Sequence, residues 1–404
     1  MEVNDVSEIP EMDYSSMSTE DLKRLEAEYE TDYIRYNIFQ LAEKNLLNSL
    51  YGALGAQAFR YYDLALAESV TNSGKLSIKW IERKLNEKIN DVTGEEKDRV
   101  VLIDTDSTVL DLYDVVKKFC PESASRVEKL EYINRLGEKV INPYIDKSYK
   151  ELADYMNAYE QKMQMKRENV INTMVSCAAK SYVMEVFDSE GVRYTLEDPY
   201  MKIMGLAMVK SSTPKIVRQA LRDCTKILLH GTEREMQEAV KKMKKEFMKH
   251  TVEEIAFPRG VSNMGIFSLD YWQERYRLAE SEEEKKNILE TKINGASEYC
   301  VKGTPFHVKA SWLFNNLVDK HGLGNVYKKI EDGEKIRFVY LKPNNPTKEQ
   351  AIAFQDRLPE EFGLHKYVDY DVMFAKAFES ALESMTDALG WSIHPKNTLD
   401  DFFV

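Results

Sequence analysis

The sequence predicts an α+β fold: a long helical segment first, then an antiparallel sheet flanked by helices, then a mainly helical region. Three observations predict it. Apolar residues recur at helical spacing through Leu22, Leu25, Tyr29, Tyr33, Tyr36, Phe39 and Leu41. Two runs rich in Val, Ile and Leu, 99–103 and 108–112, flank the short polar stretch Asp104-Thr-Asp-Ser107, the pattern of two antiparallel strands. After Gly205 the composition shifts to basic helical stretches.

Taken in order, Ser18 with Asp21 three residues on fits a capping box, so the first helix starts there. It is expected to run to about Ser49, with Gly52 and Gly55 as stop signals. A second helix, about 65–90, carries Ile78, Trp80, Ile81 and Leu85. The hairpin follows, and then a helical stretch over about 122–164. A second strand pair is expected at 180–187 and 192–196, with Asp188-Ser-Glu-Gly191 as the turn. Thr213-Pro214 reads as a cap followed by a proline at the first helical position. Short mixed elements fill 256–346, a last helix covers 371–389, and residues 393–404 form a tail that is polar and then abruptly aromatic.

A chain of 404 residues can hold two or three domains with cores of their own. No apolar run is long enough to cross a bilayer, and residues 1–21 are acidic and polar, without an apolar signal segment. The expectation is a cytoplasmic protein with no membrane partner. Cys120, Cys177, Cys224 and Cys300 lie far apart with no C-x-x-C pair, so they read as reduced thiols in or near a core. A net charge of −12 argues against a polyanionic partner only on average, because a polyanion responds to the local field. Residues 211–250 carry ten Lys or Arg against five Asp or Glu, while acid is concentrated in 1–32 and 280–284.

Asp104-x-Asp106 is the first candidate for chemistry. Residues i and i+2 of a strand project to one side, so two carboxylates can converge on one hard cation. Taken alone, D-x-D at a turn is more often an Asx-turn, in which the aspartates cap their own backbone. Upstream, Lys44, Asn48 and Tyr51 fall at i, i+4 and i+7 on one stripe of the first helix, followed by Gly52. A lysine there can reach triphosphate oxygens as a point charge, and a tyrosine one turn on can lie near a base pair.

Lys44-x-x-x-Asn48-Ser-x-Tyr51-Gly52 followed by Asp104-Thr-Asp-Ser107 resembles motifs B and C of the family B DNA polymerases, most closely the replicative enzymes of T-even-type bacteriophages. The resemblance extends to Phe59-Arg-Tyr-Tyr-Asp63, Trp80-Ile-Glu-Arg-Lys84, Met165-Lys-Arg-Glu168, Met201-Lys-Ile-Met-Gly205, Ser211-Ser-Thr-Pro-Lys215 and Pro305-Phe-His-Val-Lys309, all in the family's order. It covers most of the chain and thins between Ile255 and Ala296.

The resemblance implies fingers over 1–55, palm over 56–205, thumb over 206–390 and a clamp-binding tail over 391–404. It implies that Asp106 ligates both of two Mg²⁺ ions and that Asp104 shapes the site. Lys44 and Asn48 match the nucleotide-binding helix, and Tyr51 the residue beneath the nascent base pair. Lys180 and Tyr182 match a Lys-x-Tyr element at the minor groove and primer end, with Glu168 near the site. Lys210 and Lys215 match phosphate contacts at the thumb base. Leu399, Phe402 and Phe403 resemble a peptide that docks on a sliding clamp. The implied substrates are dNTPs and primer–template DNA.

Several positions depart from the family's pattern. Leu102-Ile103 stand where relatives usually have Tyr and Gly, Ala179 and Ser181 stand where they have basic residues, and Phe314-Asn-Asn316 lacks their Tyr and Arg. No motif A aspartate is found in its Asp-x-x-Ser-Leu-Tyr-Pro context, nor the exonuclease carboxylates. The expectation is a split polymerase, in which an N-terminal chain supplies the motif A aspartate that shares the two Mg²⁺ ions. The alternative is a non-catalytic remnant that binds DNA and clamp.

Overall fold

The computed structural model describes residues 14–298 and 300–395. They form two compact units. Described residues up to Glu122, with Lys139–Lys166, make the first, and Ser123–Glu138 with the described residues from Arg167 onward make the second. The chain runs through α1 (Thr19–Leu54), α2 (Leu64–Thr93), β1 (Val100–Asp104), β2 (Ser107–Leu110) and α3 (Tyr113–Phe119). Then come α4 (Arg126–Leu136), which belongs to the second unit, and α5 (Asn142–Tyr155), which belongs to the first. The antiparallel sheets among helices are those of an α+β protein.

In the first unit, the Asp21 amide donates to Ser18 Oγ at 3.1 Å and starts α1 as expected. The helix passes through Gly52 and stops at Gly55, a turn beyond the expected end. A lone glycine inside a helix costs only about 1 kcal/mol relative to Ala, which is too little to end it. Not one residue of α1 is buried. By contrast, α2 ends at Gly94 in the left-handed region (φ 77°) and buries Ile78, Ile81, Leu85 and Ile89 along one face. Ile81 and Leu85 pack with Val100 of β1 and with Ile145, Tyr149 and Leu152 of α5. Trp80 Nε1 donates to the Ser148 carbonyl at 2.9 Å, fixing α2 against α5.

The helix expected over 122–164 is broken. A π-turn at Gly137–Ile141 interrupts it, and Pro143 in the first turn restarts it as α5. Asn157, at φ 51°, takes the chain out of helical geometry just past the end of α5.

The second unit holds a four-stranded sheet of β3 (Asn169–Ala178), β4 (Ser181–Ser189), β5 (Val192–Arg193) and β6 (Tyr200–Met204). β4 pairs antiparallel with the other three. The strand pair expected at 180–187 with 192–196 is therefore only a two-residue ladder, and the long partner of β4 is β3. β3 escapes a period-two reading because its register shifts three times and its residues are mostly half-buried. β4 is buried from Tyr182 to Asp188 on both faces, so apolar residues fall on both of its faces and do not alternate with polar ones.

Beyond it follow α6 (Lys215–His230), α7 (Glu233–Phe247), α8 (Val252–Ile255), β7 (Phe257–Gly260), α9 (Leu269–Leu278) and α10 (Glu282–Ile288). The rest comprises α11 (Phe306–Lys320), β8 (Lys335–Tyr340), β9 (Ala351–Phe354), α12 (Tyr370–Phe374) and α13 (Ser380–Thr386), with β7, β8 and β9 in one antiparallel sheet. Pro214 is the residue before α6 and not its first turn, because its ψ of 141° is extended. Leu221, Met236, Phe247, Phe314, Phe354 and Phe378 belong to one core that joins these helices to the sheet. Phe314 and Asn315, from the stretch that departs from the family, are core residues. The Asn315 amide bonds both polar atoms of the Ile330 backbone, at 2.8 and 2.7 Å.

Candidate active site

The β1–β2 hairpin is held at its root by a buried cation. Arg99 is 1% exposed, and its guanidinium donates to Asn90 Oδ1 at 3.1 Å, to Thr93 Oγ1 at 3.2 Å and to the Asp114 carboxylate. Its amide donates to Asn86 Oδ1 at 2.6 Å. One side chain thus ties the start of β1 to the C-terminal half of α2 and to α3. The Lys97 ammonium, at 2.8 Å, and Arg99 together hold the Asp114 carboxyl down at about 2.

At the tip, Asp104 pairs with Ser107, so Thr105 and Asp106 are the loop. Asp106 N donates to Asp104 O at 2.7 Å around Thr105, whose φ is 60°. A β-branched residue at positive φ closing a three-residue turn is strained, by about 1–3 kcal/mol. The Ser107 hydroxyl donates to the Asp104 carbonyl and the Thr105 hydroxyl to Asp104 Oδ1, both at 3.2 Å. The two aspartates are therefore related by a turn, not by the strand period expected. The Asp106 carboxylate is exposed and makes no hydrogen bond or ion pair with the described residues. Its charge adds to burial in raising the phenol of Tyr149, which is 2% exposed in α5.

Lys44, Asn48 and Tyr51 share a stripe of α1, and all three are exposed. The Lys44 ammonium has no ion-pair partner among the described residues. These three and the two aspartates lie in the first unit.

Glu168, Lys180 and Tyr182 lie in the second. Lys180 is the second residue of the two-residue turn from β3 to β4, exposed and at φ 60°. Tyr182 is buried in β4, opposite Ser176 and Met204. The Glu168 carboxylate receives the Lys202 ammonium at 2.8 Å, which is the main reason its carboxyl lies below the ordinary range. Beside it Arg167 bridges Glu138, at 2.9 Å, to the fully buried Asp188, whose second oxygen meets Arg193 Nε at 3.0 Å. Lys210 and Lys215 are exposed on either side of the loop into α6. Leu399, Phe402 and Phe403 lie outside the described residues.

Asp104 and Asp106 are hard oxygen donors of the kind Mg²⁺ takes. They are two, however, and no group of three or more His, Cys, Asp or Glu able to hold a metal is found among the described residues. The donor type fits; the donor number is incomplete.

Sequence reasoning missed Arg99, Asp114, Tyr149, Lys202 and Gly205. Arg99 left one signal, a cation opening an otherwise apolar strand.

Residues 18–152, which carry the α1 stripe and the hairpin, match the model of DNA polymerase family B. Over 392 residues the chain is 33% identical to the DNA-directed DNA polymerase of Enterobacteria phage T4, covering 91% of this chain and 39% of that one. The chain is a homologue of the family B DNA polymerases. A second relative of this family B homologue is the DNA-directed DNA polymerase of Escherichia phage RB69, 30% identical over 381 residues, covering 90% of this chain and 38% of that one. The chain thus spans about two-fifths of the length of the curated relatives it matches. Among the described residues of this homologue no helix is long and apolar enough to cross a membrane.

Proposed function

We propose that this chain is the C-terminal part of a DNA-directed DNA polymerase and adds dNTPs to a primer 3′ end when an N-terminal chain completes the site. The observation that carries the reading is the strained Asp104–Asp106 hairpin, whose exposed Asp106 carboxylate has no ion-pair partner among the described residues and whose root is anchored by a buried arginine. Strain of this kind is kept where the surroundings over-determine it, and it gathers at functional sites. In this reading Asp106 and Asp104 hold Mg²⁺ with a motif A aspartate from the other chain. Mg²⁺ held there would supply charge neutralisation for phosphoryl transfer. Lys44 and Asn48 orient the triphosphate, Tyr51 lies beneath the new base pair, and Lys180 and Tyr182 meet the primer end. Glu168 lies near the primer end in this reading, with Lys210 and Lys215 on backbone phosphates. The tail, through Leu399, Phe402 and Phe403, docks on a sliding clamp.

Two observations support an absent partner segment. The donor set on the hairpin is incomplete. The 36-residue α1 buries nothing, while Tyr33, Leu46 and Leu47 are 71%, 72% and 70% exposed. Exposed apolar side chains along one helix mark an interface. The test is primer extension with Mg²⁺ by the chain alone and after mixing with the N-terminal polypeptide. Synthesis only in the mixture is expected; robust synthesis by the chain alone overturns the split arrangement.

A further inference from the structure

Two residues in left-handed backbone geometry lie against each other at the end of the β4 ladder. Lys180, in the β3–β4 turn, has φ 60°, and Gly205, directly after β6, has φ 67°. The last rung before them pairs Tyr182 with Met204. A Cβ on Gly205 would stand 2.1 Å from the Lys180 carbonyl oxygen, 2.7 Å from Ser181 Oγ and 3.0 Å from the Lys180 carbonyl carbon. Two of those three atoms are backbone, so the turn cannot yield by a rotamer change. Among the described glycines only Gly231 is comparably crowded, and two of its three neighbours are side-chain tips, of Ile227 and Glu235.

We infer that Gly205 is a positioning residue: its missing side chain lets β6 close on the Lys180 turn and fixes the point from which the Lys180 ammonium reaches DNA. The inference rests on the reading of Lys180 as a primer-end contact. A non-glycine residue in the left-handed region costs about 1–2 kcal/mol and relaxes if it can. Here the Gly205 backbone packs against the Lys180 carbonyl and leaves the turn no room to relax. A lysine stem has rotamer freedom, so its aim depends on where its backbone is held. Shifting the carbonyl by the ångström that a Cβ demands moves the whole stem, while Tyr182 remains in its buried strand.

The test measures binding of the full chain to primer–template duplexes with a matched or a mismatched primer end. The readout is the ratio of the two Kd values, which general destabilisation lowers for neither end in particular. Wild type is expected to prefer the matched end. Lys180→Ala and Gly205→Ala should each bring the ratio close to one, and the double variant should go no further, because both act on one contact. If Lys180→Ala keeps the wild-type ratio, the reading of Lys180 fails and the inference falls with it. If Lys180→Ala loses the preference and Gly205→Ala keeps it, the reading stands and the positioning role is overturned. Should Gly205→Ala not fold, Lys180→Gly in the same chain frees the turn to move and should restore folding. Failure of that rescue shows that Gly205 accommodates something other than this turn, which also overturns the inference.

Discussion

Arg99 and Asp114 form an ion pair beneath the hairpin, with the guanidinium almost wholly buried and the carboxylate also held by Lys97. The pair joins the first residues of β1 to α3, and the same guanidinium reaches Asn90 and Thr93 in the last turns of α2. Arg99→Met removes the cation and leaves the Asn90 and Thr93 oxygens facing an apolar chain. Deleting the buried partner of an ion pair is destabilising even where the carboxylate is partly exposed. The urea midpoint should fall accordingly with little change in slope, and hydrogen exchange should quicken first in β1 and β2. An unchanged midpoint would show that the hairpin root is held by packing alone.

The same pair sets an acid limit. Asp114 is held at about 2 against an ordinary 3.8, so the unfolded chain binds more protons than the folded one between those values. Its contribution to stability is complete above about pH 4 and is lost as pH falls toward 2. Glu168 and Glu334, lowered chiefly by Lys202 and Lys328, act in the same direction. Stability measured down the acid limb should decline, and Asp114→Asn should flatten the part of the decline nearest pH 2. An identical limb in that variant would remove Asp114 from the account.

Asp106→Asn keeps the shape of the hairpin tip and removes its one carboxylate without an ion pair. Because that side chain is exposed and makes no hydrogen bond with the described residues, thermal stability should shift by less than about 0.5 kcal/mol. In the proposed two-chain polymerase, where Asp106 is read as a metal ligand, its loss should remove several kcal/mol of transition-state stabilisation. At 1.36 kcal/mol per decade that is a fall in kcat of about a thousandfold or more. Synthesis surviving at the wild-type rate favours the remnant reading, in which the chain only binds DNA and clamp.

The elements fixed by local chemistry were legible in the sequence, and those fixed by distant pairing were not. Ser18 caps α1 through a bond to the Asp21 amide three residues on, so its side chain announces that helix. β3 could not be read in the same way. Its side chains answer to β4, and its register shifts break the alternation that marks a strand. The candidate site divides likewise. Asp104, Asp106 and the Lys44 stripe stand in recognisable spacings. Arg99, Lys202 and Gly205 matter through partners 15, 34 and 25 positions away, namely Asp114, Glu168 and Lys180. No spacing rule reaches across such gaps.

Lys44 offers the most direct test of the nucleotide reading. Its ammonium is exposed on α1, has no ion-pair partner among the described residues, and shares a stripe with Asn48 and Tyr51. A cation with no ion-pair partner among the described residues is available to a polyanion, and a lysine serves a phosphate as a point charge. If it binds triphosphate in the ground state and the transition state alike, its loss raises KM and leaves kcat nearly unchanged. Lys44→Ala in the completed polymerase should raise KM for dNTP about tenfold, equal to about 1.4 kcal/mol of binding. Lys44→Arg should recover part of the loss, since charge is restored while the geometry of the head group changes. A fall in kcat with KM unchanged would instead assign Lys44 to the chemical step, and no change in either would leave it a solvated residue of the helix.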